Sequence, residues 1–410
     1  MSLRWYGKDG ETGPLHSANA ALMTDVWIPH SFRDRPYASS HFARMVNWAA
    51  NNHPFYRKFC PDPAREVPVL GRADFMSHND LLLNGHPETG RTSGSTGVPV
   101  RVSWSPEKQQ RDAEASQLFR QLVGGALSRI RIVSAREAKP GECWLDICSP
   151  LDEQLAFLHR ELAGRQGVAL VTYPTNAIQL AEALLERGET LPQIIRLVCY
   201  AESYEQEQEP LLQAAFPNAR IWNNYSCSEL GIVAVRCPHE PDFMHAMSPN
   251  VGVEILDANG LPVADGDTGR LVLTDYWNTY SPFIRYDIGD MAVAGCCPCG
   301  KIPYLSFRRA LGKVRGFLKD AKGQKRIFAN IGARLKHVDG LQQYQIIQEQ
   351  LDQLTVRYVA GKNASTVELE RRLAEELETF LGHRPQMDFR LEPVIERESN
   401  GKFYATKCMA

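Results

Sequence analysis

The chain has 410 residues, 43% of them hydrophobic and 23% charged, with a formal net charge of −2. That length exceeds one ordinary core and predicts a large domain plus a smaller one, while the near-neutral charge excludes a nucleic-acid or membrane-surface specialist. No apolar run reaches the roughly 18 residues of a membrane span, and the opening MSLRWYGKDGETGPLH lacks the apolar stretch of a signal peptide, so the cytosol is the expected compartment.

In chain order, residues 39–60 read as an amphipathic helix that ends near His53-Pro54, and 106–123 read as a second helix. WLDICSP (144–150), GVALVTYP (167–174) and IIRLVCYAES (194–203) read as strands, with helices over 152–164 and 176–187 between them. This alternation predicts a largely parallel sheet covered by helices. After Asn250 the texture changes to hairpins: VGVEIL, the turn DANG, LPV and then GRLVLTDY. From Gly312 onward the composition turns charged, with helical segments over 328–337 and 366–381 and short strands between them. The expected fold class is therefore α/β. A large N-terminal domain (1–311) with mixed and parallel sheets precedes a small, mobile C-terminal α+β domain (312–410).

The stretch GRTSGSTGVPVR (90–101) concentrates hydroxyls and glycines in one loop. Glycines let backbone N–H groups converge on an anion, and Ser/Thr hydroxyls add uncharged donors. No lysine follows Gly97, so the P-loop pattern is absent. Taken alone, the stretch reads equally as a phosphate loop or as a surface turn before a strand. Four later stretches bear on the choice: CYAESYEQ (199–206), NNYSCSELG (223–231), PFIRYDIGD (282–290), where a strand is expected to end in an acidic pair around a glycine, and ESNGKFYATK (398–407).

In this order and spacing the motifs resemble the adenylate-forming superfamily, and within it the phenylacetate–coenzyme A ligase-like branch. TSGSTGVPV resembles that family's phosphate loop, YSCSE its tyrosine–glutamate motif, RYDIGD its R-x-x-G-D motif and NGKF its C-terminal G-K loop. HPFYRKF and VLGRADF resemble the branch's opening, so the likeness covers nearly the whole chain.

The resemblance implies a reaction in which ATP converts a carboxylate to an acyl-adenylate and coenzyme A then takes the acyl group as a thioester. By the same likeness the acid is more aromatic than long and aliphatic. Thr92, Ser93, Gly94, Ser95, Thr96 and Gly97 would hold the β- and γ-phosphates. Glu229 would place Mg²⁺, Ser228 would touch the α-phosphate and Tyr225 would lie against adenine. Ala201 and Glu202 belong to the nucleotide motif. Asp290 would accept the ribose hydroxyls, and Lys402 would bring positive charge to the reacting oxygens. Walls of the acid pocket are expected from Tyr200, Ala201, Trp222 and Asn223, at the carboxyl ends of the strands.

The chain departs from the family at several points. Its hinge region GKVRGFLKDAKGQKR (312–326) offers Lys313 where the family has an arginine on the ribose, with Arg308 as the fallback, and Arg315-Gly316 replace an acidic pair. Arg72 stands where the family usually has lysine, Ser226 replaces a glycine, and Ala201 replaces another before Glu202.

Of the ten cysteines, Cys60, Cys143, Cys148, Cys199 and Cys227 are scattered, as small core residues of a reducing compartment are. Cys296, Cys297 and Cys299 instead crowd into GCCPCGK. A tight C-P-C-G turn presents two thiolates to one metal, and RCPHEPDFMH (236–245) supplies Cys237, His239 and His245. The resembling branch often carries a structural zinc site of this composition. By position the ligands are Cys237, His245, Cys297 and Cys299, with His239 and Cys296 as spares.

The expected partners are a small-molecule carboxylic acid, coenzyme A or a carrier protein, and a second copy of the chain in a homodimer; neither nucleic acid nor membrane is expected. Three alternatives stand beside the coenzyme A ligase. The acyl group could pass to the phosphopantetheine of a carrier protein, or to the chain's own Cys408, in a tail expected to be mobile. The third alternative is a non-catalytic, zinc-stabilised interaction module.

Overall fold

The structure, a computed structural model, describes residues 26–33, 35–92, 99–122, 125–135, 138, 140–200, 202, 208–313, 317–327, 335, 338–361, 364–396 and 405–409. Ser93, Gly94, Ser95, Thr96, Gly97, Ala201 and Lys402 lie outside the described residues, as does most of the helix expected over 328–337. The chain divides into two compact units, residues 1–127 with 222–310, and residues 128–221 with 311–410.

In the first unit the helix Pro36–Asn52 begins on a proline at its first turn, where the missing N–H costs nothing. Its apolar residues Phe42, Met45, Val46 and Ala49 follow helical spacing and are buried. His53, constrained by the following proline, is extended and ends the helix; a new one, Pro54–Phe59, begins at once. One sheet runs in the order Leu70–Gly71, Tyr286–Val293, Thr268–Asp275 and Val251–Leu256, its first pair parallel and the next two antiparallel. A second, antiparallel set places Ser306–Phe307, Met244–Ala246, Gly231–Arg236 and Arg220–Cys227 side by side. Both rest on one core that includes Phe75, Val233, Leu273 and Phe283.

Backbone turns are secured by a buried charge pair. Arg285 has a φ of 45° and meets Glu254 through two hydrogen bonds of 3.0 and 3.1 Å, while its third donor reaches the Val67 carbonyl oxygen at 2.8 Å. This bidentate fork accounts for an arginine in the left-handed region.

In the second unit the strands Trp144–Asp146, Arg129–Val133, Val168–Thr172 and Ile194–Cys199 are all parallel, joined through the helices Leu151–Leu162 and Pro174–Glu186, as the alternation predicts. Their core is separate from that of residues 318–381. Near the C-terminus, Leu341–Gln350 and Gln353–Ala360 form a hairpin flanked by the parallel strands Gln386–Leu391 and Thr406–Cys408. The helix Thr366–Leu381 is capped by the Ser365 hydroxyl at its start and by Gly382 (φ 71°) at its end. Buried Gln348 reads both sides of one residue: its Oε1 accepts from the Lys319 N–H at 2.6 Å and its Nε2 donates to the Lys319 carbonyl oxygen at 2.8 Å. This ties the hairpin of Phe317–Lys319 and Lys325–Ile327 to the sheet.

The fold class is α/β, with the expected mixture of sheets and helices. Two local expectations are corrected. Residues 406–408 are not a mobile tail but a strand in register with 346–348, because an edge of the sheet offers them a ladder of hydrogen bonds. The strand of PFIRYDIGD does not end at Asp290 but runs from Tyr286 to Val293.

Candidate functional site

The strand Arg220–Cys227 bulges between Tyr225 and Ser226 where it pairs with Gly231–Arg236, and a bulge re-aims the side chains beside it. The Tyr225 hydroxyl donates to Asp290 Oδ2 at 2.5 Å. Four residues on, buried Glu229 accepts from the Tyr286 hydroxyl at 2.8 Å. Tyr286 and Asp290 share the buried face of their strand, whereas Asp287 faces the other way and binds Arg270 at 2.9 Å. The two motifs thus lie side by side in opposite directions, coupled at two points. Burial raises the pKa of both phenols, and the carboxylate beside each raises it further, so both stay protonated and donate.

Glu229 also faces Arg72, whose Nη1 lies 3.6 Å from Glu229 Oε1. The same guanidinium donates to the hydroxyl of buried Thr92, where the hydroxyl loop departs. Thr92 Oγ1 accepts in addition from the Val100 N–H at 3.0 Å, which closes the base of that loop. Arg72, at the start of the helix Arg72–Met76, therefore bridges the loop and the carboxylate. A buried carboxylate beside a cation, at the root of a glycine-rich loop, can take a hard metal ion together with phosphate oxygens.

Of the other expected site residues, Ser228 is exposed in the turn after the Tyr225 strand. Glu202 accepts from the Thr175 N–H at 3.1 Å and from its hydroxyl at 2.7 Å, so it caps the helix Pro174–Glu186. Arg308 lies over the Phe243 ring at 5.0 Å. Lys313 ends the strand Arg309–Lys313, and its side chain lies outside the description. Tyr200 stands edge-on to Tyr173, and Trp222 is buried. Tyr286 is the site residue that the motifs did not single out, although its place four residues before Asp290 on an alternating strand marks the shared face.

A second constellation is built from Cys237, His245, Cys297 and Cys299, whose donor atoms all lie within 4.8 Å of one another. His245 brings its ring into the cluster, and neither His239 nor Cys296 belongs to it. Cys297 Sγ is 3.7 Å from Cys237 Sγ, and Cys299 Sγ is 3.6 Å from His245 Nε2. A tetrahedral zinc with bonds of about 2.3 Å to sulfur and about 2.0 Å to nitrogen requires edges of about 3.8 and 3.5 Å. The donor set fits that ion. Burial lowers the pKa of His245 and holds it in the neutral, metal-binding form. Gly300 (φ 59°) turns the chain after Cys299, and the Glu240 N–H points at Cys237 Sγ at 3.4 Å.

Residues 319–408 match the family described as the CapK C-terminal domain. No curated protein matches the chain in sequence. Among solved structures, it is similar to a 2-hydroxyisobutyryl-CoA ligase in the postadenylation state in complex with 2-HIB-AMP, at 17% identity and a TM-score of 0.70 over 92% of this chain and 90% of that one. The anthranilate CoA ligase AuaEII in complex with anthranoyl-AMP is similar at 13% identity, with a TM-score of 0.53 over 76% and 65% of the two chains. The amide bond synthetase McbA from Marinactinospora thermotolerans is similar at 15% identity, with a TM-score of 0.54 over 74% and 66%. The chain shares the fold of these solved structures.

Proposed function

We propose that this protein is an ATP-dependent acid–thiol ligase that converts a carboxylic acid to its acyl-adenylate and then to a coenzyme A thioester. The observation that carries this reading is the double coupling of Tyr225 to Asp290 and of Glu229 to Tyr286, with Arg72 joining Glu229 to the hydroxyl loop. Asp290 would exchange the Tyr225 hydroxyl for ribose hydroxyls, and Tyr225 would then lie against the base. Arg72, Thr92 and the loop 93–97 would bind the β- and γ-phosphates and orient the α-phosphate toward the acid. Mg²⁺ bound through Glu229 would supply charge neutralisation on the phosphates. Lys402, on a small domain proposed to begin at Gly312, would stabilise the negative charge that develops as the acid oxygen attacks and pyrophosphate leaves.

Zinc held by Cys237, His245, Cys297 and Cys299 would be structural, since four protein donors leave no open position. Coenzyme A is favoured over self-acylation because Cys408 sits in a strand with its Sγ donating to Gln348 Oε1 at 3.4 Å. An aromatic acid remains the proposed substrate class. The ligases of similar fold are named for 2-hydroxyisobutyrate and for anthranilate, so the assay must span both chemistries.

The test is pyrophosphate release over a panel of aryl acids and short hydroxy acids, with and without coenzyme A. Acid-dependent release that yields an acyl-CoA is expected. Release that yields only a stable adenylate would transfer the acceptor role to a carrier protein, and no release with any acid would overturn the reading.

A further inference from the structure

Beneath the loop that carries Glu229 lies a buried cluster of charges on the helix Pro106–Leu122 and its neighbours. Lys108 is completely buried. Its ammonium donates to Asp112 Oδ1 at 2.8 Å and to the Leu230 carbonyl oxygen at 2.8 Å, and it meets Asp275 Oδ2 at 3.0 Å. Two of the three ammonium donors thus have hydrogen-bond acceptors, and Asp275 Oδ2 faces the ammonium as its ion-pair partner. Asp275, also fully buried, accepts from the N–H groups of Trp277 (2.8 Å) and Asn278 (3.0 Å) through its other oxygen. Asp112 Oδ1 accepts in addition from Asn250 Nδ2 at 3.1 Å.

Such a cluster is a poor device for stability alone, because the desolvation of buried charges rivals their attraction. Burial opposes the Lys108 charge, yet Asp275 and Asp112 outweigh it and the pKa is raised, so the ammonium persists. What the cluster fixes is geometry, and the fixed point is the carbonyl next to Glu229. The fit is close on the other side of that carbonyl too. Gly231 has a φ of 77°, and a Cβ there would lie 2.9 Å from Asp112 Oδ2. Lys108 therefore holds the loop at its Leu230 carbonyl while Tyr286 and Arg72 meet the Glu229 carboxylate.

We propose that Lys108 is a positioning residue, which holds the Leu230 carbonyl so that the Glu229 carboxylate is presented, preformed, to the magnesium–nucleotide. This inference rests on the adenylating reading for its consequence, but not for the grip itself. Lys108→Met with Asp275→Asn removes the ammonium without stranding a fully buried carboxylate, and Gly231→Ala displaces the same loop with Lys108 intact. Amide hydrogen exchange of the nucleotide-free protein reads the grip directly. Exchange over 228–231 is expected to rise by about tenfold or more in either variant, with the strand Ile194–Cys199 unchanged. The magnesium concentration for half-maximal pyrophosphate release is expected to rise about tenfold, with KM for the acid unchanged. Wild-type exchange over 228–231 in a folded variant would overturn the grip, and a wild-type magnesium dependence would overturn its role in presenting Glu229. If the first variant does not fold, Lys108→Gln reads the grip, and Gly231→Ala reads the loop's part in the magnesium dependence. A wild-type protein that releases no pyrophosphate would overturn the ligase reading and with it the catalytic consequence, while the exchange measurement still decides the grip.

Discussion

The Tyr225 hydroxyl donates to Asp290, and through this bond two motifs far apart in the chain share one buried carboxylate. Each partner serves a different end. Tyr225→Phe removes a donor from a buried carboxylate and should lower stability by about 1–3 kcal/mol, measured by urea unfolding. Asp290→Asn should leave stability closer to wild type and raise KM for ATP by about 10- to 100-fold, since charged acceptors contribute about 1.5–3 kcal/mol. An unchanged KM for ATP would remove Asp290 from the nucleotide site.

His53 is fully buried, and burial pulls its pKa from 6.5 down to about 4. Its Nε2 faces the Tyr280 carbonyl oxygen at 3.3 Å, so that nitrogen carries the single proton. On unfolding the ring titrates normally and takes up a proton below pH 6.5, which the folded protein resists until about pH 4. The stability lost as pH falls through that window amounts to about 3 kcal/mol, of which about 2 is gone at pH 5. Urea midpoints at pH 7 and pH 5 should therefore fall more steeply for wild type than for His53→Gln. Parallel lines for the two proteins would refute the assignment.

Purified protein should contain one zinc per chain. A closed four-ligand site can couple on the order of 10 kcal/mol to folding, so Cys299→Ser should be poorly soluble and free of zinc. Elemental analysis that finds no zinc in wild type would end this idea.

Gly252 has no room for a side chain. A Cβ would lie 2.5 Å from the Tyr276 hydroxyl oxygen and 2.7 Å from Phe32 Cζ, and both rings are buried. Gly252→Ala should cost about 1–3 kcal/mol by overpacking. Adding Tyr276→Phe should recover part of it, and strictly additive effects in that double-mutant cycle would show that the ring is not the obstacle.

Lys402→Ala should slow adenylation on the order of 10²–10³-fold while sparing thioester formation from supplied acyl-adenylate. Equal losses in both half-reactions would exclude a small domain that serves the two steps in different orientations.

The elements with a clear period were legible in the sequence. Helix Pro174–Glu186 and the parallel strands beside it follow from apolar spacing and length, and the Tyr225, Glu229 and Asp290 motifs could be picked out because several occur in order. What was hidden depends on partners distant in the chain. Residues 106–123 read simply as a helix, and nothing in that reading marks Lys108, which is buried because Asp275, on a strand far downstream, compensates its charge. Glu202 read as a nucleotide residue, and nothing local to it reveals that its carboxylate caps a helix begun at Pro174. The tail shows little apolar periodicity, and its order was hidden because a strand's pairing is decided by the edge that receives it.

Gln348, with its two bonds to Lys319, supplies from a side chain what a neighbouring strand would supply from its backbone. Sliding the Phe317–Ile327 hairpin by one residue would turn the Lys319 N–H and C=O to the opposite edge and break both bonds together. Glutamate at 348 would have no donor for the carbonyl, lysine no acceptor for the N–H, and asparagine would fall one methylene short. Position 348 thus acts as a register pin that accepts a single residue type, and it sets which side chains the hairpin's tip at Lys322–Gly323 holds out to solvent.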